Sequence, residues 1–128
     1  MTANQDIVLE KDKREAIHQY LSLLNNLNIE EAIETFMKPE VEIIYNGKRR
    51  LISKFTWLKF LKKNVLNKFT SIVQFKITNV RNNSNKTMFN IHMICKRFNG
   101  NLFFTEIKVQ NNWNNNSISQ TIYTSTNY

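Results

Sequence analysis

The sequence predicts an α+β protein in which three helices of the N-terminal half pack on a strongly curved antiparallel sheet. Apolar residues recur at helical spacing in three segments of the first half of the chain. The pair Asn46-Gly47 separates two short apolar stretches and favours a two-residue hairpin turn. Most of the second half alternates apolar and polar residues between Asn- and Gly-containing turns, as consecutive antiparallel strands do.

The first two helices have recognisable boundaries. The first is predicted from about Lys13 to Asn25. Asn28 is a suitable N-cap for a second helix at Ile29–Met37, because Glu31 follows three residues later as in a capping box. Pro39 lacks a backbone N–H and prevents continuation of this helix. The apolar positions of these helices are predicted to be buried: Ala16, Ile17, Tyr20, Leu21, Leu24, Ile29, Ile33 and Phe36.

Ser53 is the predicted cap of the third helix, which follows the hairpin. Its predicted buried positions are Trp57, Leu58, Leu61 and Val65, and its predicted exposed positions are Lys59, Lys62 and Lys63. Strands are predicted at 41–45 and 50–52 in the hairpin, and then at 72–80, 88–98, 102–110 and 118–125. The segment NNWNNN before the last strand is predicted to be a polar loop.

Length and composition exclude several classes of protein. A chain of 128 residues predicts one domain, which we place at 12–128 after a flexible leader at 1–11. No apolar run approaches the roughly 20 residues of a membrane span. Cys95 is the single cysteine, so an intrachain disulfide is excluded and a cytoplasmic location is favoured. Two histidines and one cysteine offer no metal-ligand spacing, and two glycines exclude a glycine-rich phosphate loop, so we expect no metal or cofactor.

Charge is distributed unevenly along the chain. Residues 1–42 carry nine acids and four bases, a net of −5, whereas residues 43–128 carry fourteen bases and one acid, a net of +13. Such asymmetry permits binding to nucleic acids or anionic surfaces. The abundance of Lys and Asn also fits a solvated basic face encoded by an AT-rich genome. Helical spacing turns Trp57 inward among the helix lysines, and stacking on single strands requires exposed aromatics. We therefore expect nucleic-acid binding to be absent or nonspecific.

The segment QYLSLLNNLNIEEAIETFMKPEVEIIYNGKRRLISKFTWLKFL resembles the nuclear transport factor 2-like superfamily, which includes SnoaL-like proteins and ketosteroid isomerase. The shared pattern is an amphipathic helix, a short break, a helix ending in an aromatic residue, a small hairpin and a further helix. The resemblance covers about residues 12–126. It implies a cystatin-like, cone-shaped α+β roll whose sheet surrounds a pocket, and homodimers formed through the outer face of the sheet.

The resemblance also assigns positions to the catalytic groups of the isomerases. Tyr20 matches the oxyanion hydrogen-bond donor, Ile44 the general base, and Thr105 the second acid. Ile44 cannot accept a proton, which argues against ketosteroid-type isomerisation. Tyr20 is alternatively an aromatic at the edge of the core, with its hydroxyl near solvent. Glu42 could replace the base if the hairpin register slipped, or it could be an exposed carboxylate beside the basic return strand.

Two sets of residues form the predicted sites. An apolar pocket for a hydrophobic small molecule is expected to be lined by Tyr20, Leu24, Ile44, Trp57, Leu61, Phe75, Ile77, Phe89, Ile91, Met93, Phe103, Thr105 and Ile107. A homodimer face on the other side of the sheet is expected to contain His92, Ile94, Phe104, Glu106 and the last strand. The alternatives are a SnoaL-like enzyme of isomerase, cyclase or dehydratase type, acting on a ring or carbonyl substrate, and a dimeric protein-interaction module.

Overall fold

The computed structural model describes residues 2–64, 71–83 and 85–127, and the side chains of 13–63, 72–83 and 85–125. Its helices and strands, in chain order, are α1 (Thr2–Asn25), α2 (Ile29–Phe36), β1 (Met37–Tyr45), β2 (Lys48–Ser53), α3 (Lys54–Asn64), β3 (Ser71–Asn83), β4 (Lys86–Lys96), β5 (Leu102–Asn114) and β6 (Ser117–Asn127). This order confirms the predicted α+β class with three helices packed on one sheet. Val65, predicted to be buried on the third helix, lies outside the described residues.

The sheet has six strands in the order β2-β1-β6-β5-β4-β3. Asn46 and Gly47 connect β1 to β2 with φ of 48° and 86°, the left-handed conformation that the predicted hairpin turn requires. All strand pairs are antiparallel except β1 with β6, which run parallel. The sheet is therefore mixed, and the prediction of a purely antiparallel sheet is wrong. A long stretch of chain separates β1 from β6, so no local turn sets their relative direction.

Several element boundaries differ from the predicted ones. Helix α1 begins at Thr2, well before Lys13, so most of the predicted leader lies within it. Strand β1 begins at Met37 and includes Pro39. The pairing of β1 with β6 is interrupted between Met37 and Glu42. Pro39 lies in this interruption, so its missing backbone N–H removes no hydrogen bond from the ladder.

The segment NNWNNN is not the polar loop that its composition predicts. Strand β5 continues to Asn114, and the turn is confined to Asn115 and Asn116. Trp113 lies in this extension and is buried, with its indole N–H donating to Thr87 Oγ1 at 3.1 Å.

The core lies between the helices and one face of the sheet, which we call the inner face. Tyr20 on α1 makes edge contacts with Phe36 and Trp113, at centroid distances of 6.1 and 5.8 Å. Val41 and Ile43 of β1 contribute to the same core. The opposite side of the sheet is the outer face. None of the described helices combines the length and apolar character needed to cross a lipid bilayer.

Candidate functional site

A cavity of about 80 Å³ lies between the helices and the inner face. Each helix contributes apolar side chains to its wall, and four strands supply the rest. The lining residues are Tyr20, Leu24, Ile29, Ile33, Leu61, Phe75, Phe89, Ile91, Met93, Ile107, Val109 and Tyr123. Tyr20 and Tyr123 are the only members of this set that carry a polar side-chain atom, so the cavity offers mainly apolar contact.

The predicted lining and the observed wall share most of their members. Both include Tyr20, Leu24, Leu61, Phe75, Phe89, Ile91, Met93 and Ile107. Sequence reasoning did not assign Ile29, Ile33, Val109 and Tyr123 to the pocket. Ile29 and Ile33 could have been found, because both belong to the predicted buried stripe of α2. Ile77 packs against the core but is not part of the cavity wall.

Three other predicted lining residues lie on or near the inner face but outside the wall. Trp57 is buried beside Tyr123, with their ring centroids 5.2 Å apart. Phe103 lies beneath the guanidinium of Arg97, whose Cζ is 4.4 Å from the ring centroid. Thr105 is buried on β5. None of these three side chains is among the described residues that line the cavity.

Ile44 lies on the outer face, and its predicted place in the pocket is wrong. Val41 and Ile43 are buried in the core, and side chains alternate along a strand, so Ile44 points away from the cavity. It pairs with Ile122 of β6. The predicted face depended on where the second helix ends, and α2 ends at Phe36 rather than at the predicted Met37.

Glu42 also lies on the outer face, where it is half-buried and paired. Its Oε1 accepts a hydrogen bond from Gln120 Nε2 and lies 3.8 Å from Arg49 Nε on β2. These contacts agree with the interpretation of Glu42 as a strand carboxylate beside the basic return strand. The register shows no slip that would bring Glu42 to the inner face, since it pairs with Leu51 and Gln120.

The hydroxyl of Tyr20 is not near solvent as predicted, because the residue is only 2% exposed. Burial raises the pKa of Tyr20 to about 12 by disfavouring the phenolate, and the neighbouring amide of Asn111 acts in the opposite direction. Burial also raises the pKa of Tyr123, and the nearby Tyr20 adds to this, whereas Trp57 and Thr121 oppose it. Both tyrosines are therefore neutral hydrogen-bonding groups at neutral pH.

Polar residues of β5 and β6 lie behind these tyrosines. Thr121 Oγ1 donates to Asn111 Oδ1 at 2.9 Å, and neither residue is exposed. Buried polar side chains hold their geometry when they are hydrogen-bonded in this way. Sequence reasoning missed this cluster because Asn111 falls within the presumed loop.

The cavity wall contains no carboxylate, imidazole, thiol or other group able to abstract a proton at neutral pH among the described lining residues. Cys95 is buried on β4, and burial raises the pKa of its thiol, which disfavours the nucleophilic thiolate. The chemistry that this arrangement supports is apolar contact with a hydrogen bond from one or both tyrosines.

The predicted dimer-face residues lie together on the outer face. His92 is directly opposite Glu106, with Nδ1 3.4 Å from Oε2, and Ile94 is directly opposite Phe104. The His92–Glu106 pair is partly exposed on the sheet surface and does not line the inner cavity. It therefore lacks the surroundings of a catalytic dyad.

The basic side of α3 differs from the predicted one in its aromatics. Trp57 is buried as predicted, but Phe55 and Phe60 are 61% and 41% exposed, so exposed aromatics do lie among these lysines. Two of the lysines are held by α2: Lys62 Nζ lies 2.9 Å from Glu30 Oε1, and Lys54 Nζ donates to the carbonyl of Glu34 at 2.6 Å. Part of the positive charge of α3 is therefore paired with acceptors on α2 rather than free to bind an external anion.

Comparison with known proteins identifies the fold. No protein-family profile matches the sequence, and no curated protein sequence matches it. A protein described as a SnoaL-like polyketide cyclase from Mesorhizobium loti has a similar structure, with a TM-score of 0.72 and 10% identity over 86% of this chain and 96% of that one. An NTF2-like protein of unknown function from Cytophaga hutchinsonii gives a TM-score of 0.70 and 13% identity over 89% and 99%.

A third similar structure is that of IdmH from Streptomyces antibioticus, described as a polyketide cyclase. Its TM-score is 0.69 at 11% identity, over 88% of this chain and 91% of that one. The fold is thus that of the NTF2-like and SnoaL-like proteins, which confirms the resemblance recognised in the sequence. At these sequence identities the comparisons establish the fold but not the activity, which has to be inferred from the residues of the site.

Proposed function

We propose that this protein, which has an NTF2-like fold, binds a small hydrophobic molecule in the cavity between its helices and sheet, without ketosteroid-isomerase chemistry. The observation that carries the proposal is the apolar wall, in which Tyr20 and Tyr123 carry the only polar side-chain atoms among the described lining residues. Such a wall favours an uncharged ligand, because a charged group would lose its hydration without gaining a partner. The absence of a general base among the described lining residues favours binding over the alternative of a SnoaL-like enzyme.

The cavity volume limits what can bind. It is about 80 Å³, roughly half of the engineered 150 Å³ cavity known to accept benzene. A ligand of ring size therefore requires some outward movement of the wall. Ile29 and Ile33 on α2, together with Leu61 on α3, belong to helices of eight and eleven residues. Helices this short depend on packing for their stability, so they are the part of the wall that can move at least cost.

Binding in the cavity can be tested with toluene as a probe. Adding toluene is expected to raise the thermal unfolding midpoint of the wild-type protein, because a ligand that binds only the folded state stabilises it. Ile107→Phe fills the cavity and is expected to remove this increase at an overpacking cost of about 1–3 kcal/mol.

A matched control is Leu51→Phe, which adds similar volume at a side chain that is 64% exposed on β2. This variant is expected to keep the full response to toluene. An equal response in the Ile107→Phe variant would contradict binding in this cavity. Mass spectrometry of the purified protein under native conditions would detect a ligand that is retained through purification.

We further propose that the protein forms a homodimer through the outer face of the sheet. Phe104 is 44% exposed there beside Ile94, and Ile44 lies beside Ile122 further along the same face. Apolar side chains at the centre of a polar surface are typical of protein interfaces. The polar pair of His92 and Glu106 lies next to Phe104 on the same face and offers hydrogen-bonding groups to a partner.

Replacing Phe104 by Asp is expected to weaken this dimer at least ~30-fold, since truncating a central aromatic anchor costs about 2 kcal/mol or more. Sedimentation velocity at micromolar concentration measures the association directly. The control is Phe98→Asp, because Phe98 is 77% exposed and lies in the turn between β4 and β5. A monomeric wild-type protein, or equal loss of association in both variants, would contradict the proposed interface.

A further inference from the structure

A second concavity, of about 330 Å³, lies on the outer face across β3, β4, β5 and β6. Its volume falls within the range of roughly 300–1,000 Å³ that is common for small-molecule sites. It differs from the inner cavity in character, because basic and amide side chains make up half of its lining residues. We call it the outer-face site. Its polar lining side chains are Asn79, Arg81, Asn90, Lys108, Gln110 and Thr124.

A bulge in β3 shapes this site. The pairing of β3 with β4 shifts between Thr78 and Arg81, so β3 holds one extra residue at that point. Asn79 lies in the bulge with a φ of 55°, a left-handed conformation that Asn tolerates better than most residues. After the bulge, Arg81 pairs with Met88. Bulges re-aim side chains in this way and are frequent beside functional sites.

The positive charges of the site have no acidic partner. Arg81 and Lys108 both line the concavity, and neither forms an ion pair within the described part of the chain. The outer-face acids nearest in register are already engaged. Glu106 pairs with His92, and Glu42 is held by Gln120 and Arg49. The site therefore presents two cations that have no ion-pair partner among the described residues.

The remaining lining groups complement these cations. The amides of Asn79 and Asn90 and the hydroxyl of Thr124 supply further hydrogen-bond donors. Gln110 contributes less, because its Nε2 already donates to Asn112 Oδ1 at 3.2 Å. Met88 and Ile122 provide an apolar surface beside the polar groups.

We propose that the outer-face site binds a small organic anion, a carboxylate or a phosphate monoester attached to an apolar group. The guanidinium of Arg81 offers paired donors in the geometry of either anion, and Lys108 adds a second positive charge. Met88 and Ile122 contact the apolar part of the ligand. This site is separate from the inner cavity, so its occupancy does not depend on the hydrophobic ligand proposed above. It shares Ile122 with the proposed dimer face, so anion binding and dimer formation are expected to oppose each other.

Isothermal titration with benzoate and with phenyl phosphate tests the proposal and distinguishes the two anions. At least one of them is expected to bind the wild-type protein, more weakly as salt increases, whereas neutral benzyl alcohol does not bind at this site. Arg81→Gln and Lys108→Gln are each expected to weaken binding about tenfold or more, because each removes a charge-assisted contact. Both side chains are exposed, so neither change disturbs the core.

The matched control is Lys76→Gln, which removes a positive charge from the same face of β3, opposite His92 and outside the concavity. It is expected to bind the anion within about twofold of the wild type, because screened exposed charges act over short distances. Binding only of phenyl phosphate, or only of benzoate, identifies the preferred anion. The proposal is overturned if neither anion binds, if benzyl alcohol binds equally well, or if all three variants lose affinity to the same extent. Sedimentation velocity in the same buffers reports whether the anion also changes the association state.

Discussion

Replacing Trp113 by Ala is expected to reduce the free energy of unfolding by about 3–5 kcal/mol, the range for removing a buried large aromatic side chain. Trp113 is 3% exposed and makes edge contacts with Tyr20 and Phe36 at centroid distances of 5.8 and 6.1 Å. The substitution also leaves the buried hydroxyl of Thr87 without its indole donor, which adds to the cost. Equilibrium unfolding in urea measures the change.

Two further variants make this test specific. Trp113→Phe keeps a ring in the cluster and removes only the indole donor, so it is expected to cost less than the Ala variant. Phe98→Ala removes a ring that is 77% exposed, and its effect is expected to stay within about 0.5 kcal/mol. A loss below about 1 kcal/mol for Trp113→Ala would mean that the NNWNNN segment is the polar loop that its composition predicts.

Raising the pH from 9 to 12 is expected to destabilise the protein through its buried tyrosines. The folded-state pKa of Tyr20 is about 12, against an ordinary value of 10. A raised pKa means that folding favours the neutral phenol. The stability that the protonated Tyr20 contributes to the folded state is fully present below pH 10 and is lost as the pH rises towards 12. Two pKa units correspond to about 2.7 kcal/mol. The raised pKa of Tyr123 acts with the same sign.

Urea unfolding at a series of pH values gives the size of this loss, and tyrosinate absorbance follows the titration. The double variant Tyr20→Phe, Tyr123→Phe is expected to lose much less stability over this range, because it has no buried phenol to ionise. Tyr45→Phe serves as the control, since Tyr45 is only half-buried at the edge of the core. If the double variant and the wild type show the same alkaline loss, the buried tyrosines are not its cause.

Local signals in the sequence predicted most of the elements. Asn46-Gly47 marked the β1–β2 hairpin because few residue pairs adopt two left-handed conformations in succession. The helical stripe of Tyr20 and Leu24 and the alternation of Phe89, Ile91 and Met93 identified residues that share one cavity wall. These positions were predictable because secondary-structure periodicity alone determines which face a side chain occupies.

The incorrect predictions arose where tertiary contacts outweigh local preference. The asparagines around Trp113 favour turns in isolation, yet the chain there is a strand because the indole is buried in the core. Ile44 was placed on the wrong face because a one-residue error at the α2–β1 boundary reverses the alternation of the whole strand. Tyr123 was missed because it reaches the cavity only through the pairing of β6 with β1 and β5.

The parallel pairing of β6 with β1 has a consequence for the order of folding. Met37 pairs with Ile118, and Tyr45 with Tyr123, so joining these strands closes a loop that contains most of the chain. The chain must lose conformational entropy to close this loop before the contacts between the two strands form, and folding is slower as a result. We expect the β3–β5 meander and the β1–β2 hairpin to form early as separate units. Until β6 docks between them, β1 and β5 each present an unpaired edge, and the partly folded chain is then most prone to aggregate.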